Sequence, residues 1–291
     1  MEVGIGLPNA VPGLSGRRLP DWAARAEERG FATLGTIDRV VYPSYESLIA
    51  LAAAAAVTER VRLFTDILIS PPRHTALLAK QAATLDSLSG GRLVLGLAVG
   101  WRDDDYRIAG VDFEERGRVF DQQLEQLRGI WAGESVDGLG SIGPDSVQRG
   151  GPELLIGGGV KAAYRRAARY GSGWTMGGGT PNQFREGKAA TEEAWREHGR
   201  EGRPRTSVLA YFSLGPNGQE KAHHYIHHYY APMGEEIAEM IAQSVATDED
   251  TVSGYSQAFG DLGADELVWF PCSDDLEQID LLADAVRDRL A

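Results

Sequence analysis

Cysteine is nearly absent: Cys272 is the only one in 291 residues. No internal disulfide and no cysteine-rich metal site can form, which fits a reducing compartment. Long apolar runs are missing too. The longest, Leu48 to Val57, holds ten residues and is mostly alanine, too short to span a bilayer. The opening Met-Glu-Val-Gly-Ile-Gly-Leu-Pro has neither the basic flank nor the apolar core of a signal peptide, so a cytoplasmic protein with no membrane partner is expected. Positive charge is in deficit, with 29 Lys+Arg against 42 Asp+Glu and a net charge of −13. That mean field repels nucleic acid. Several catalytic signatures are also missing. There is no phosphate-binding P-loop, no serine nucleophile elbow, and Gly4-x-Gly6 lacks the third glycine of a dinucleotide fingerprint because position 9 is Asn. A Rossmann nicotinamide site is thereby disfavoured.

What is present is a large core and a regular rhythm. With 43% hydrophobic and 24% charged residues the chain carries no mark of disorder. Short β-rich runs alternate eight times with helical patterns. The expected strands are Val3 to Pro8, Ala32 to Ile37, Val61 to Ile69, Leu93 to Val99, Glu153 to Ile156, Gly173 to Met176, Val208 to Leu214 and Glu266 to Phe270. Between them, apolar residues recur at helical spacing, as in Leu19, Trp22, Ala23 and Ala26, or Phe120, Leu124, Leu127 and Trp131. Gly30 and Gly90 stand where helices should stop, and Thr180-Pro181 offers an N-cap followed by proline at the first helical position. Strand and helix repeated eight times close most economically as a parallel (β/α)8 TIM barrel, with a doubly wound open sheet as the alternative. One domain over 1–291 is expected. Two insertions interrupt it: a loop, Glu134 to Gly151, after the fourth strand-helix unit, and a helical stretch, Gln219 to Gly260, after the seventh, broken at Pro232-Met233-Gly234.

A barrel of this kind works at the C-terminal ends of its strands. The residues there are Asn9, Asp38-Arg39, Asp66, Gly100-Trp101 with Asp103 to Asp105, Gly157 to Gly159, Gly177 to Gly179, Gly215 and Cys272. The two triple-glycine runs each lead into a helix, so bare main-chain amides and helix N-termini converge on a candidate phosphate site. Asp66 lies in a strongly apolar run and must find donors or a ligand. Asp38 is a candidate site carboxylate or a structural partner of an arginine. His223, His224, His227 and His228 include i,i+4 pairs, but no glutamate sits between them in an H-E-x-x-H pattern, and no metal is expected. That segment, with Tyr225, Tyr229 and Tyr230, is placed over the barrel mouth or on its flank. Cys272 reads as an inert small hydrophobe. The smooth surface of Ala50 and Ala52 to Ala56 allows close helix contact, against the barrel or across a homodimer interface.

The stretch VRLFTDILISPPRHTALLAKQAATLDSLSGGRLVLGLAVGW, Val61 to Trp101, resembles the signature region of the bacterial luciferase-like flavin oxidoreductases, and LLIGGG with ARYGSGWTMGGGTP resembles their fifth and sixth barrel units. The resemblance implies a barrel binding FMN, or the deazaflavin coenzyme F420, at its mouth. It implies a bulge near the end of the third strand, often with a non-proline cis peptide, here Asp66-Ile67. It places Asp38-Arg39 beside the flavin ring, with Asn9, Gly100 and Met176 around it, and gives Gly157, Gly158, Gly159, Gly177, Gly178 and Gly179 to the phosphate and ribityl chain. Arg39 stands where several relatives carry a histidine, and Trp101 where sugar-phosphate dehydrogenase relatives carry a catalytic glutamate. The leading expectation is a two-component monooxygenase: reduced FMN from a separate flavin reductase, dioxygen, and a small organic substrate. Arg39 would stabilise negative charge at the flavin, Asp38 would hold Arg39, and Trp101, Tyr106, His228, Tyr229 and Tyr230 would meet the substrate. The alternatives are hydride transfer by reduced F420 without oxygen, and a non-catalytic flavin-binding protein.

Overall fold

The computed structural model describes residues 1–290. Eight strands, β1 (Glu2–Gly6), β2 (Thr33–Thr36), β3 (Arg62–Ile69), β4 (Leu93–Ala98), β5 (Glu153–Gly157), β6 (Gly173–Met176), β7 (Arg205–Phe212) and β8 (Glu266–Pro271), pair in parallel and in chain order, and β8 closes on β1. The expected TIM barrel is therefore the fold. Strand ends shift by a few residues from the sequence reading, most at β7, which starts at Arg205 because its first residues pair with β6 from Gly173 onward.

Eleven α-helices surround the barrel among the described residues: α1 (Arg18–Glu28), α2 (Ser47–Ala55), α3 (Thr75–Leu88), α4 (Asp103–Ala109), α5 (Arg116–Trp131), α6 (Lys161–Tyr170), α7 (Pro181–Glu197), α8 (Gly218–Tyr230), α9 (Glu235–Gln243), α10 (Glu249–Asp261) and α11 (Glu277–Ala285). Their stripes face the sheet as their spacing requires: Leu19, Trp22, Ala23 and Ala26 on α1 and Phe120, Leu124 and Leu127 on α5 are all buried. Ala50 and Ala54 of α2 are buried in the same layer. None of these helices is long and apolar enough to cross a membrane.

The insertions fall on opposite ends of the barrel. The loop around Glu134 to Gly151 joins α5 to β5, and Gln148 ties it to Asp86 and to the Leu93 carbonyl at the start of β4, so it lies at the end remote from the strand C-termini. The second insertion supplies α8, α9 and α10, with a 3-10 turn, Ala231–Met233, at the expected break. A further helix, α4, enters between β4 and α5, where the spacing of polar residues hid it.

Inside the barrel a second apolar cluster, including Phe64, Val94, Leu155, Leu209, Val268 and Phe270, fills the cylinder. Gly35 is required there: a Cβ on it would come within 2.8 Å of the Phe270 ring. At the N-terminal end the buried Glu266 carboxylate is held by Arg62 at 3.2 Å and Arg205 at 2.7 Å, so this charge is paired where it is out of water. The interior is closed below and open above.

β3 departs from regularity where the site begins. Thr65 pairs with Leu95, yet Leu68 pairs with Leu97, so three steps on β3 match two on β4. The extra residue makes a bulge, which breaks the in-out alternation. Asp66 and Ile67, consecutive in sequence, both line the open end, and the peptide between them is cis.

Candidate active site

A cavity of about 830 Å³ opens at the C-terminal end of the strands, in the size range of small-molecule sites. Its base is the β3 bulge. On one side stand the glycines after β5 and β6, with Gly157, Gly158, Gly159, Gly177 and Gly178 all lining the space. A Cβ on Gly157 would collide with the Ile67 side chain, while one on Gly177 would sit 3.5 Å from Ile67 Cδ1 with nothing else within 4 Å. Their bareness keeps a slot open between the bulge and the β5–β6 wall. The other side is aromatic: Trp101, Phe113, Tyr211, Tyr229 and Tyr230.

The two glycine runs lead into helices of different character. α6 starts beyond Val160, which makes no side-chain cap bond; the Ala163 amide donates to the Val160 carbonyl, which leaves those of Lys161 and Ala162 available to an anion. α7 is closed by its own sequence: Thr180 and Gln183 form a capping box and Pro181 removes one donor. Gly179, adjoining that cap, does not line the cavity. Of the two helix starts, the one beside Gly157 to Gly159 is therefore the more open.

Asp66 is 1% exposed. Thr175 Oγ1 donates to its Oδ1 at 2.8 Å, and its buried Oδ2 has no protein partner. Burial pushes its pKa up to about 7, because a lone carboxylate is costly out of water, with the Thr175 bond opposing and the Glu266 charge adding to the rise. Such an acid exchanges a proton near neutrality.

The Asp38-Arg39 pair is resolved differently from the sequence expectation: Asp38 does not hold Arg39. Asp38 accepts two bonds from Arg73 Nη2, at 2.9 and 3.0 Å, and one from the Ile69 amide at 3.0 Å, and Arg73 also reaches Glu46 at 2.8 Å. Burial raises the Asp38 pKa against the pull of Arg73. Arg39 is gripped by Asp105 of α4, with Nε to Oδ2 at 3.0 Å, and Asp105 Oδ1 also takes the amides of Val40 and Val41. One buried charge pair thus ties the β2 loop to α4. Arg39 Nη1 has no hydrogen-bond partner; the guanidinium lies 5.7 to 6.0 Å from the Tyr42, Trp101 and Tyr229 rings, which satisfy a cation by their faces.

Asp38, Arg39, Asp66, Ile67, Gly100, Trp101, Met176, Tyr229 and Tyr230 meet around this one cavity. Besides Gly179, three expected members do not. Asn9 is fully buried, and its amide is spent on Ile37 and Tyr45, bracing β1 to the β2 loop. Tyr106 is also buried and donates to the Val99 carbonyl, so its hydroxyl is a strut under the β4 turn. His228 is exposed and pairs with the Tyr42 hydroxyl at 2.7 Å. Residues that sequence reasoning passed over are Arg73, Thr175 and Tyr211, while Asp105 stood among the strand-end residues without an assigned role. Two had a signal: a buried Asp38 and a buried Arg39 each demand an opposite charge, although the sequence does not say which. Cys272 is buried, and burial raises its thiol pKa well above the usual range.

The sequence profile of the luciferase-like monooxygenases matches residues 1–269. An uncharacterised protein of Mycobacterium tuberculosis is 37% identical over 148 residues, 49% of this chain and 51% of its own length, so the chain spans about half of that relative. The FMNH2-dependent dimethylsulfone monooxygenase of Pseudomonas putida is 32% identical over 141 residues, 45% of this chain and 38% of its own. Among solved structures, an F420-dependent secondary alcohol dehydrogenase bound to an F420–acetone adduct superimposes with a TM-score of 0.82, covering 100% of this chain and 99% of its own; at 17% identity this speaks for the fold alone.

Proposed function

The chain belongs to the luciferase-like monooxygenase family, and on that premise we propose that it is a two-component flavin-dependent monooxygenase, taking reduced FMN from a separate reductase and using dioxygen to oxidise a small organic substrate. The observation that carries this reading is the slot between the Asp66-Ile67 bulge and the bare glycines of β5 and β6. A flat ring system fits that shape, and the Gly157 to Gly159 run with the uncapped start of α6 fits its phosphate. Asp66 belongs to the lining of the same space, and its buried Oδ2 keeps a hydrogen bond to give or accept. When bound, the reduced flavin supplies the electrons that activate dioxygen.

The protein supplies position, charge and dryness. Asp66, with Thr175 fixing Oδ1, holds or releases a proton at Oδ2 beside the ring. Arg39, locked by Asp105, sets a permanent positive charge with a free Nη1 near the anionic cofactor. Asp38 is a positioning residue: through Arg73 and the Ile69 amide it anchors the end of β3 just beyond the bulge. Trp101, Tyr211, Tyr229 and Tyr230 form an apolar wall that excludes water and receives the organic substrate.

A second reading, hydride transfer with F420, draws on the fold shared with the F420-dependent alcohol dehydrogenase. F420 has a tricyclic ring and a phosphate-bearing tail like those of FMN, and the same slot suits both. Anaerobic titration with reduced FMN and with reduced F420, followed by absorbance, separates them. The proposal expects saturable binding of reduced FMN at one per chain and substrate oxidation only after dioxygen is admitted. Binding of F420 alone, with anaerobic turnover, would replace it by the second reading, and binding of neither would end both.

A further inference from the structure

The histidine-rich helix carries a feature unconnected with the flavin slot. His223 and His227, one turn apart on α8, stack with ring centroids 3.9 Å apart. Their Nε2 atoms lie 3.1 and 3.0 Å from the same atom, Glu239 Oε2, which comes from α9 across the Ala231–Met233 turn. These three are the one His, Cys and carboxylate cluster among the described residues whose ligand atoms all fall within 4.8 Å of each other. The glutamate missing between the histidines in sequence is supplied by the next helix.

We propose that His223, His227 and Glu239 form a binding site for one divalent transition-metal ion of the zinc class, which staples α9 to α8. The donor set, two imidazoles and a carboxylate with a fourth position open to water, suits Zn²⁺. Ordinary Zn–N and Zn–O bonds around a tetrahedral ion put donor atoms about 3.3 Å apart, near the separations that the two Nε2 atoms keep from Oε2, and the stacked imidazoles, 24° from parallel, turn on binding so that both in-plane lone pairs meet the ion. Glu239 is also oriented by a partner. Gln243 Nε2 donates to Glu239 Oε1 at 2.9 Å, turning Oε2 towards the histidines. Glu235 Oε1, on an exposed side chain, lies 3.3 Å from His227 Nδ1. His224, on the same helix, takes no part. The staple bears on the site without touching it, because α8 continues from His227 directly to Tyr229 and Tyr230 of the cavity wall.

The test is equilibrium dialysis of the full chain against Zn²⁺, with His223→Ala, His227→Ala and Glu239→Gln, and with His224→Ala as control. All four positions are outside the apolar core, and the thermal transition of each metal-free variant checks folding. One Zn²⁺ per chain is expected for the wild type and the control, with affinity reduced at least about tenfold in the other three. Co²⁺ in place of Zn²⁺ should give the intense visible absorption of a four-coordinate ion, lost in His227→Ala, and Zn²⁺ should slow amide exchange across residues 223 to 243. Zn²⁺ binding that survives the loss of both histidines, or no stoichiometric binding at all, overturns the site. Binding without added exchange protection overturns the staple.

Discussion

Asp66→Asn replaces one buried oxygen by an amide nitrogen, keeps the size of the side chain, and leaves an acceptor for Thr175 Oγ1, which now bonds Oδ1. What it removes is a titration. Burial lifts Asp66 from the ordinary carboxylate range to about 7, and that displacement is worth roughly 4 kcal/mol of pH-dependent stability. The direction follows from proton counts. Between about pH 4 and about pH 7 the folded protein keeps a proton that the unfolded chain has released, so stability falls as pH rises through this window. The contribution is complete below the lower limit and gone above the upper one. The substituted amide never ionises, so the variant lacks this slope. Urea unfolding of both proteins at a series of pH values, followed by the fluorescence of buried tryptophans such as Trp174 and Trp269, isolates the term as a difference between two curves. The wild type should lose roughly 4 kcal/mol relative to the variant from the acid to the alkaline end. Curves that stay parallel would show that Asp66 titrates as an ordinary carboxylate, and its role as a proton-holding group at the flavin would fall with them.

Gly177→Val should fold normally, because its Cβ meets Ile67 only at 3.5 Å, yet its branches enter the slot; reduced-FMN affinity should drop by about five- to 150-fold, the equivalent of roughly 1–3 kcal/mol of overpacking, with an unchanged urea midpoint. Arg39→Met leaves the fully buried Asp105 without its counter-charge and should cost about 3–5 kcal/mol of stability. Adding Asp105→Asn should recover most of that loss in a double-mutant cycle read by urea unfolding, and a purely additive result would refute the coupling. The buried, alkaline-shifted thiol of Cys272 should resist thiol reagents in the native protein and react at once in denaturant.

The fold was legible because it is periodic. Eight alternations of strand and helix, glycine stops at Gly30 and Gly90, and the Thr180-Pro181 start are local signals, and local signals survive in one dimension. The proposed flavin slot was half legible. Asp66 stood out as a charge in an apolar run, and the glycine runs as bare backbone, so each announced an unusual environment before any neighbour was known. The arginine partners were not legible: Asp38 and Arg39 are adjacent in sequence, yet consecutive residues leaving a strand point apart, and each found its counter-charge 35 and 66 residues away. Asn9, Tyr106 and His228 were misplaced for a related reason, since position after a strand fixes proximity to the mouth but not whether a polar tip is already spent on a carbonyl or a neighbour.

Chain order is thus enough for the barrel, its working end, and the residue types converging there, because burial pattern and turn chemistry are properties of short segments. Which charge answers which is a matter of the closed fold: Asp38 with Arg73, Arg39 with Asp105, and the glutamate of α9 beside the histidines of α8. Electrostatic pairing depends on distance through space, which a linear chain leaves unspecified until the cylinder has closed.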